Sequence, residues 1–167
     1  MKHKILLLYS YLVRSFLFFF PDIPFIMRFR GFLYSIFMKK RGSNFQVAAS
    51  SIIKGIENIS IEENCFFASN TIIDASTYIF FGKDVMVGYS TIIVTGNHTL
   101  KNNSYRFGPP IREPIKINHG TWIGANCVIL SGVTIPSASC IAAGTVINKK
   151  LDKSGVYYRH STLKYKG

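Results

Sequence analysis

The sequence predicts an all-β solenoid of hexapeptide repeats carrying an N-terminal α-helical arm, and three observations predict it. Aliphatic residues stand at Ile111, Ile117, Ile123, Ile129, Ile135, Ile141 and Ile147, an unbroken spacing of six. Neither the 3.6 period of a helix nor the alternation of a flat strand produces that spacing. The same ladder runs earlier through Ile61, Phe67 and Ile73, then resumes two residues out of step at Phe81, Val87 and Ile93. The slip is most simply a two-residue bulge at a corner between Ile73 and Phe81. Finally, a small residue recurs at the fifth place of the repeat, at Cys65, Thr71, Cys127, Val133, Ser139 and Thr145. Each six reads as a short strand and a turn, three of which close one triangular coil with the first and fifth positions inside.

Residues 1–42 form the arm. They hold 8 of the 14 Phe, and eight Lys or Arg against Asp22 alone, so +7 of the chain's +12 formal charge lies here. Pro21 and Pro24 break the stretch into two short helices. The apolar run from Ile5 to Phe20 has Arg14 at its middle and is short for a membrane span. Phe18-Phe19-Phe20-Pro21 is no small-residue cleavage site either. Two aromatic helices edged with Arg and Lys, Arg28 and Arg30 among them, fit an element lying in the plane of an anionic membrane surface. Lys39, Lys40 and Arg41 would then face the headgroups. The plainer alternative is that the helices pack on the main domain or a neighbouring subunit.

Residues 43–150 form the β-helix domain. An extended loop, residues 95–112, interrupts its ladder and opens with Gly96-Asn97-His98. A long loop set into a regular solenoid is a place to expect function. Residues 151–167 form a basic tail. Cys65, Cys127 and Cys140 fall inside the repeats without a CxxC pair, which excludes a disulfide scaffold, suggests a reducing compartment, and fits small core fillers.

Residues 53–150 resemble the hexapeptide-repeat acyltransferases, which are left-handed parallel β-helices. Gly-x-His at the root of a long loop, followed by Pro114-Ile-Lys-Ile117 and Thr121-Trp-Ile-Gly124, is similar to the branch acting on maltose, galactosides and xenobiotics, and to enzymes that acetylate surface polysaccharides. The resemblance implies an O-acetyltransferase that uses acetyl-CoA as donor and a hydroxyl of a sugar or glycan intermediate as acceptor, with no metal, in surface polysaccharide or lipopolysaccharide synthesis. It implies a homotrimer with active sites between subunits, and His98 as the catalytic base. The chemistry suits that residue type, since an imidazole titrates near neutral pH and can take the hydroxyl proton during attack.

Carried over residue by residue, the donor site comprises Trp122 beside the pantetheine arm and Ala125, Ala143 and Gly144 where small residues admit it. Asn148 and Lys149 stand at a cofactor motif that reads Thr-Lys in the family. Arg159 and Lys166 are candidate contacts for the phosphates, although the family's tail Pro is missing here. The acceptor site would draw on Asn70 and Asp74 from an earlier coil, with Asn97, Tyr105 and Arg106 from the loop. Corner Asn and Asp also serve turn geometry alone.

Two other activities share the fold. N-acetylation of a nucleotide-linked amino sugar needs the same base. A zinc site like that of the gamma-class carbonic anhydrases needs three His, and beyond His98 and His119 only His3 and His160 remain, in the arm and tail. Nucleic acid is not an expected partner, because no such motif is present and the arm explains most of the charge. The expected location is the cytoplasm, with peripheral contact at the inner face of the cell membrane.

Overall fold

A computed structural model describes residues 2–159. It is a parallel β-solenoid of about six turns with two helices at its N-terminal end. Three sheets run its length. Sheet A contains Ile59–Ile61, Ile79–Phe81, Ile115–Ile117 and Thr134–Ile135. Sheet B contains Gln46–Val47, Phe66–Phe67, Met86–Val87, Trp122–Ile123, Cys140–Ile141 and Val156–Tyr157. Sheet C contains Ile52–Lys54, Ile72–Asp74, Ile92–Val94, Val128–Ile129 and Val146–Ile147.

The six-residue period becomes three interior columns. Ile61, Phe81, Ile117 and Ile135 stack inside sheet A. Val47, Phe67, Val87, Ile123 and Ile141 stack inside sheet B. Ile53, Ile73, Ile93, Ile129 and Ile147 stack inside sheet C. All are buried, as are the fifth-position residues Cys65, Thr71, Cys127, Val133, Ser139 and Thr145. No strand among the described residues is longer than three residues, so each coil gains its stability from stacking on its neighbours.

The two extra residues between Ile73 and Phe81 do lie at a corner, between sheets C and A, and Ile53 to Ile61 carries the same eight-residue corner one coil earlier. Two expectations are corrected. Ile111 keeps the six-residue spacing yet lies outside the solenoid, exposed on a hairpin where it pairs antiparallel with Asn97. The solenoid also continues past residue 150, since Val156-Tyr157 adds a further rung to sheet B.

Corners turn through residues in the left-handed region. Between sheets B and C that position holds Asn70, Ser90, Asn126 and Gly144 in successive coils. Between sheets A and B, Asn44, Asn64 and Asp84 do the same, and their side chains form a ladder. Asn44 Nδ2 donates to Asn64 Oδ1 and Asn64 Nδ2 to Asp84 Oδ1, each at 2.9 Å. Asn and Asp tolerate this conformation better than other residues with a side chain.

Helix α1 (Lys2–Leu17) and helix α2 (Pro24–Ser35) pack on the first coil. Leu6 and Val13 of α1 and Tyr34 of α2 join the core. Arg30 does not edge the arm as the sequence suggested; it is 1% exposed. Its Nη1 donates to Asp22 Oδ1 at 2.6 Å and to Val47 O at 3.2 Å. Its Nη2 donates to Phe20 O at 2.6 Å and Leu17 O at 3.2 Å. Asp22 also accepts the Ala49 amide at 2.9 Å. One guanidinium thus ties the helix–helix connection to the first coil. No helix among the described residues is long and apolar enough to cross a membrane.

The thiols differ in a measurable way. Burial pushes the Cys65 thiol up to about 12 and raises that of Cys127, whereas Cys140 is half-buried on the outer side of sheet B. Because the thiolate is the reactive form, iodoacetamide at neutral pH is expected to label the native protein once, at Cys140. Labelling of Cys65 and Cys127 should require denaturant. Intact mass and peptide mapping read the outcome.

Candidate active site

The interrupting loop is a built hairpin. Thr95 is buried at its root: its amide donates to Asp74 O at 3.2 Å, and its carbonyl accepts the Glu113 amide at 3.2 Å. Gly96 and Asn97 then pair with Arg112 and Ile111. Further out, Thr99 Oγ1 donates to Pro109 O at 2.6 Å. Gly108 passes so close to Thr99 that a Cβ there would lie 1.8 Å from its carbonyl oxygen, so only glycine fits. His98 is the first residue beyond the paired stem. It is exposed, and its amide donates to Asn97 Oδ1 at 2.9 Å. Among the described residues its ring makes no hydrogen bond within the chain.

Asp74 lies beside that root. It ends its sheet C strand in register with Val94, and Ser76 Oγ donates to its Oδ1 at 3.2 Å. Asn70 lies before the other end of that strand, at the corner between sheets B and C. There Ser90 and Asn126 take its place in later coils, and the turn accounts for the residue type. Within one chain, then, Asp74 is near the His98 loop and Asn70 is not. Asn97, Tyr105 and Arg106 are exposed on the loop, and Arg106 packs over the ring of Phe107 at 5.6 Å.

The donor candidates gather along the edge between sheets B and C. Trp122 points outward from sheet B, 53% exposed, with Met86 and Cys140 as its register neighbours. Ala125 is at the corner that follows. The Gly144 amide donates to Ala125 O at 2.8 Å, which stacks Ala143-Gly144 directly on it. A Cβ on Gly124 would come within 2.7 Å of the Ala143 nitrogen, so these corners are as close as backbones allow. Ile141 pairs with Tyr157, and counting on two residues puts Arg159 next to Ala143 in the same column. Asn148, Lys149 and Arg159 line one cavity of about 560 Å³ at the C-terminal end of the solenoid, with Tyr157 and Tyr158. Lys166 lies outside the described residues.

A larger cavity, about 760 Å³, covers the outer face of sheet A; of its lining, the sequence pointed to Pro114, Ile115 and Lys116 as part of a motif and to His119 as a possible zinc ligand, and to neither aromatic. Phe80 and Tyr78 supply its aromatic wall, and Lys116 Nζ stands 5.8 Å from the Phe80 ring. Aromatic residues at outward strand positions were the available signal. His119 borders it and faces Lys83 O at 3.0 Å, at a corner away from the loop of His98. Among the described residues no three His, Cys, Asp or Glu side chains are grouped to hold a metal ion.

Comparison with known proteins follows the same lines. Residues 114–149 match the family model of the hexapeptide repeat of succinyl-transferase. The galactoside O-acetyltransferase of Escherichia coli is 32% identical over 95 residues, covering 56% of this chain and 46% of that protein. The galactoside O-acetyltransferase of Lactococcus lactis is 27% identical over 104 residues, covering 62% and 50%. The chain thus spans about half the length of the curated relatives it matches. Among solved structures, a hexapeptide-repeat acetyltransferase of Vibrio cholerae complexed with acetyl coenzyme A superposes with a TM-score of 0.80. It is 24% identical, with 93% of this chain and 83% of that one covered.

Proposed function

We propose that this hexapeptide-repeat protein, which has the fold of the hexapeptide-repeat acetyltransferases, transfers acetyl from acetyl-CoA to a hydroxyl of a sugar or glycan intermediate. The observation that carries the reading is His98, exposed at the end of a pinned stem in a solenoid whose relatives are named O-acetyltransferases. The donor lies along the edge formed by Trp122, Ala125, Ala143 and Gly144. Lys149 and Arg159 at the C-terminal cavity meet its phosphates, and Asn148 lines the same place.

The chemistry needs no covalent intermediate. The acceptor oxygen attacks the thioester carbonyl while the His98 imidazole takes the hydroxyl proton. Backbone N–H groups at a coil corner stabilise the tetrahedral oxyanion. Collapse breaks the C–S bond, and the imidazolium returns its proton to the departing sulfur, giving the ester and free CoA. Asp74 and the loop residues Asn97, Tyr105 and Arg106 hold the acceptor.

The His98 loop and the corner bearing Asn70 stand apart within one chain, and the loop's large side chains are exposed. Both facts support a site completed by a neighbouring subunit, in a homotrimer where one chain's loop faces the next chain's donor edge. The acceptor class is tested by supplying the full chain with acetyl-CoA and matched hydroxyl and amino sugars, following free thiol. Release that depends on the hydroxyl sugar is expected. Release with amino sugars alone would move the assignment to N-acetylation.

A further inference from the structure

We infer that the N-terminal arm is a docking surface for an anionic lipid bilayer, and this holds whichever way the acetyl-transfer assays turn out. Each helix carries two apolar stripes. On α1 the first stripe, with Leu6 and Val13, is buried against the solenoid. The second, Ile5, Leu8, Leu12 and Phe16, follows steps of three and four residues and so forms one line on the helix. All four are exposed, Phe16 at 74%. On α2, Met27 and Tyr34 are buried, while Phe25, Phe29 and Phe32, with Ile36 at the C-cap, form a second line with the same steps, and Phe25 is again 74% exposed. The connection between the helices adds Phe19 at 90%. Tyr9 joins the two helices, donating its hydroxyl to Leu33 O at 2.8 Å and meeting the Phe37 ring edge-on at 4.9 Å.

Folding therefore satisfies one stripe of each helix and leaves the other in water. An exposed apolar surface of this extent is a binding surface. Its charges select the occupant. Lys2, Lys4, Arg28, Lys39 and Arg41 are exposed on the arm. The arm's single carboxylate, Asp22, is engaged by Arg30. A second copy brought to this face would oppose like charges, whereas anionic headgroups complement them. Neither helix can cross a bilayer, so both lie in its plane with their aromatic stripes among the upper acyl chains. The loop of His98 leaves the solenoid from the third coil, two strand spacings or about 10 Å from the first.

The test is co-sedimentation of the full chain with vesicles of phosphatidylcholine alone and of phosphatidylcholine with phosphatidylglycerol. The protein is expected to sediment with the anionic vesicles, and less so near 1 M salt, where the screening length falls to about 3 Å. A Phe25→Ser, Phe29→Ser double variant should bind them about tenfold more weakly or worse. Both residues are exposed, so the fold survives, which the single-thiol labelling pattern checks. Failure of the wild type to bind anionic vesicles overturns the inference. So does equal binding by the double variant, or a double variant that instead breaks up a larger assembly in sedimentation velocity.

Discussion

Replacing His98 with alanine is expected to lower kcat about 10²–10⁴-fold, with KM for acetyl-CoA changed by no more than about twofold. The asymmetry follows from where the residue sits. His98 lies on the exposed hairpin and is not one of the residues, Trp122, Ala125 and Ala143, proposed to hold the donor. Removing the imidazole deletes proton transfer in the transition state and leaves ground-state binding of acetyl-CoA intact, a pattern read as loss in kcat. Stability should hold within about 0.5 kcal/mol, because the ring is solvent-facing and bonds nothing in its own chain. A His98→Ala protein that keeps its full rate would remove the residue from the mechanism.

The largest stability effect is expected at Arg30. Substitution with methionine keeps the length and apolar stem but leaves the carbonyls of Phe20 and Val47 without their donor and Asp22 without its partner, while the Leu17 carbonyl keeps the Phe20 amide. Each buried acceptor that loses its hydrogen bond costs about 1–3 kcal/mol, and breaking a buried pair about 3–5 kcal/mol. Asp22 can rehydrate because it lies at the margin of the site, so a total of about 3 kcal/mol is expected. Arg30→Lys should recover little, since one ammonium cannot reproduce the planar fork that reaches several acceptors. Urea unfolding of the three proteins measures this. A methionine variant within about 1 kcal/mol of wild type would show that the guanidinium is dispensable.

The solenoid was legible in the sequence because its interior positions are fixed by the coil itself. Ile123, Ile129 and Ile135 must be apolar at every third of a turn, and nothing else produces that period. The limits lay where period and environment part. Ile111 has the right spacing and the wrong surroundings, since spacing does not say whether the chain is still coiling or returning along a hairpin. Arg30 read as an edge cation because a one-dimensional pattern does not show four acceptors converging on one guanidinium from the connection and the first coil. In the candidate site, the loop and its histidine were visible as an interruption of the ladder. The separation of Asn70 from Asp74 was not, because spacing alone does not show that a strand, Ile72–Asp74, carries the chain from one corner to the next. The cavity over Phe80 escaped notice because outward positions carry no periodic constraint.

Direct transfer from acetyl-CoA to a hydroxyl, with His98 as the base, can be separated from covalent catalysis in a single turnover. The full chain is mixed with acetyl-CoA, with and without a hydroxyl sugar, and thiol release and the intact mass of the protein are followed together. Thiol release is expected only when the acceptor is present, with one acetyl group gained by the acceptor for each thiol freed and an unmodified chain throughout. Thiol release without acceptor that leaves the chain itself acetylated, or no release with any hydroxyl acceptor, would contradict direct transfer.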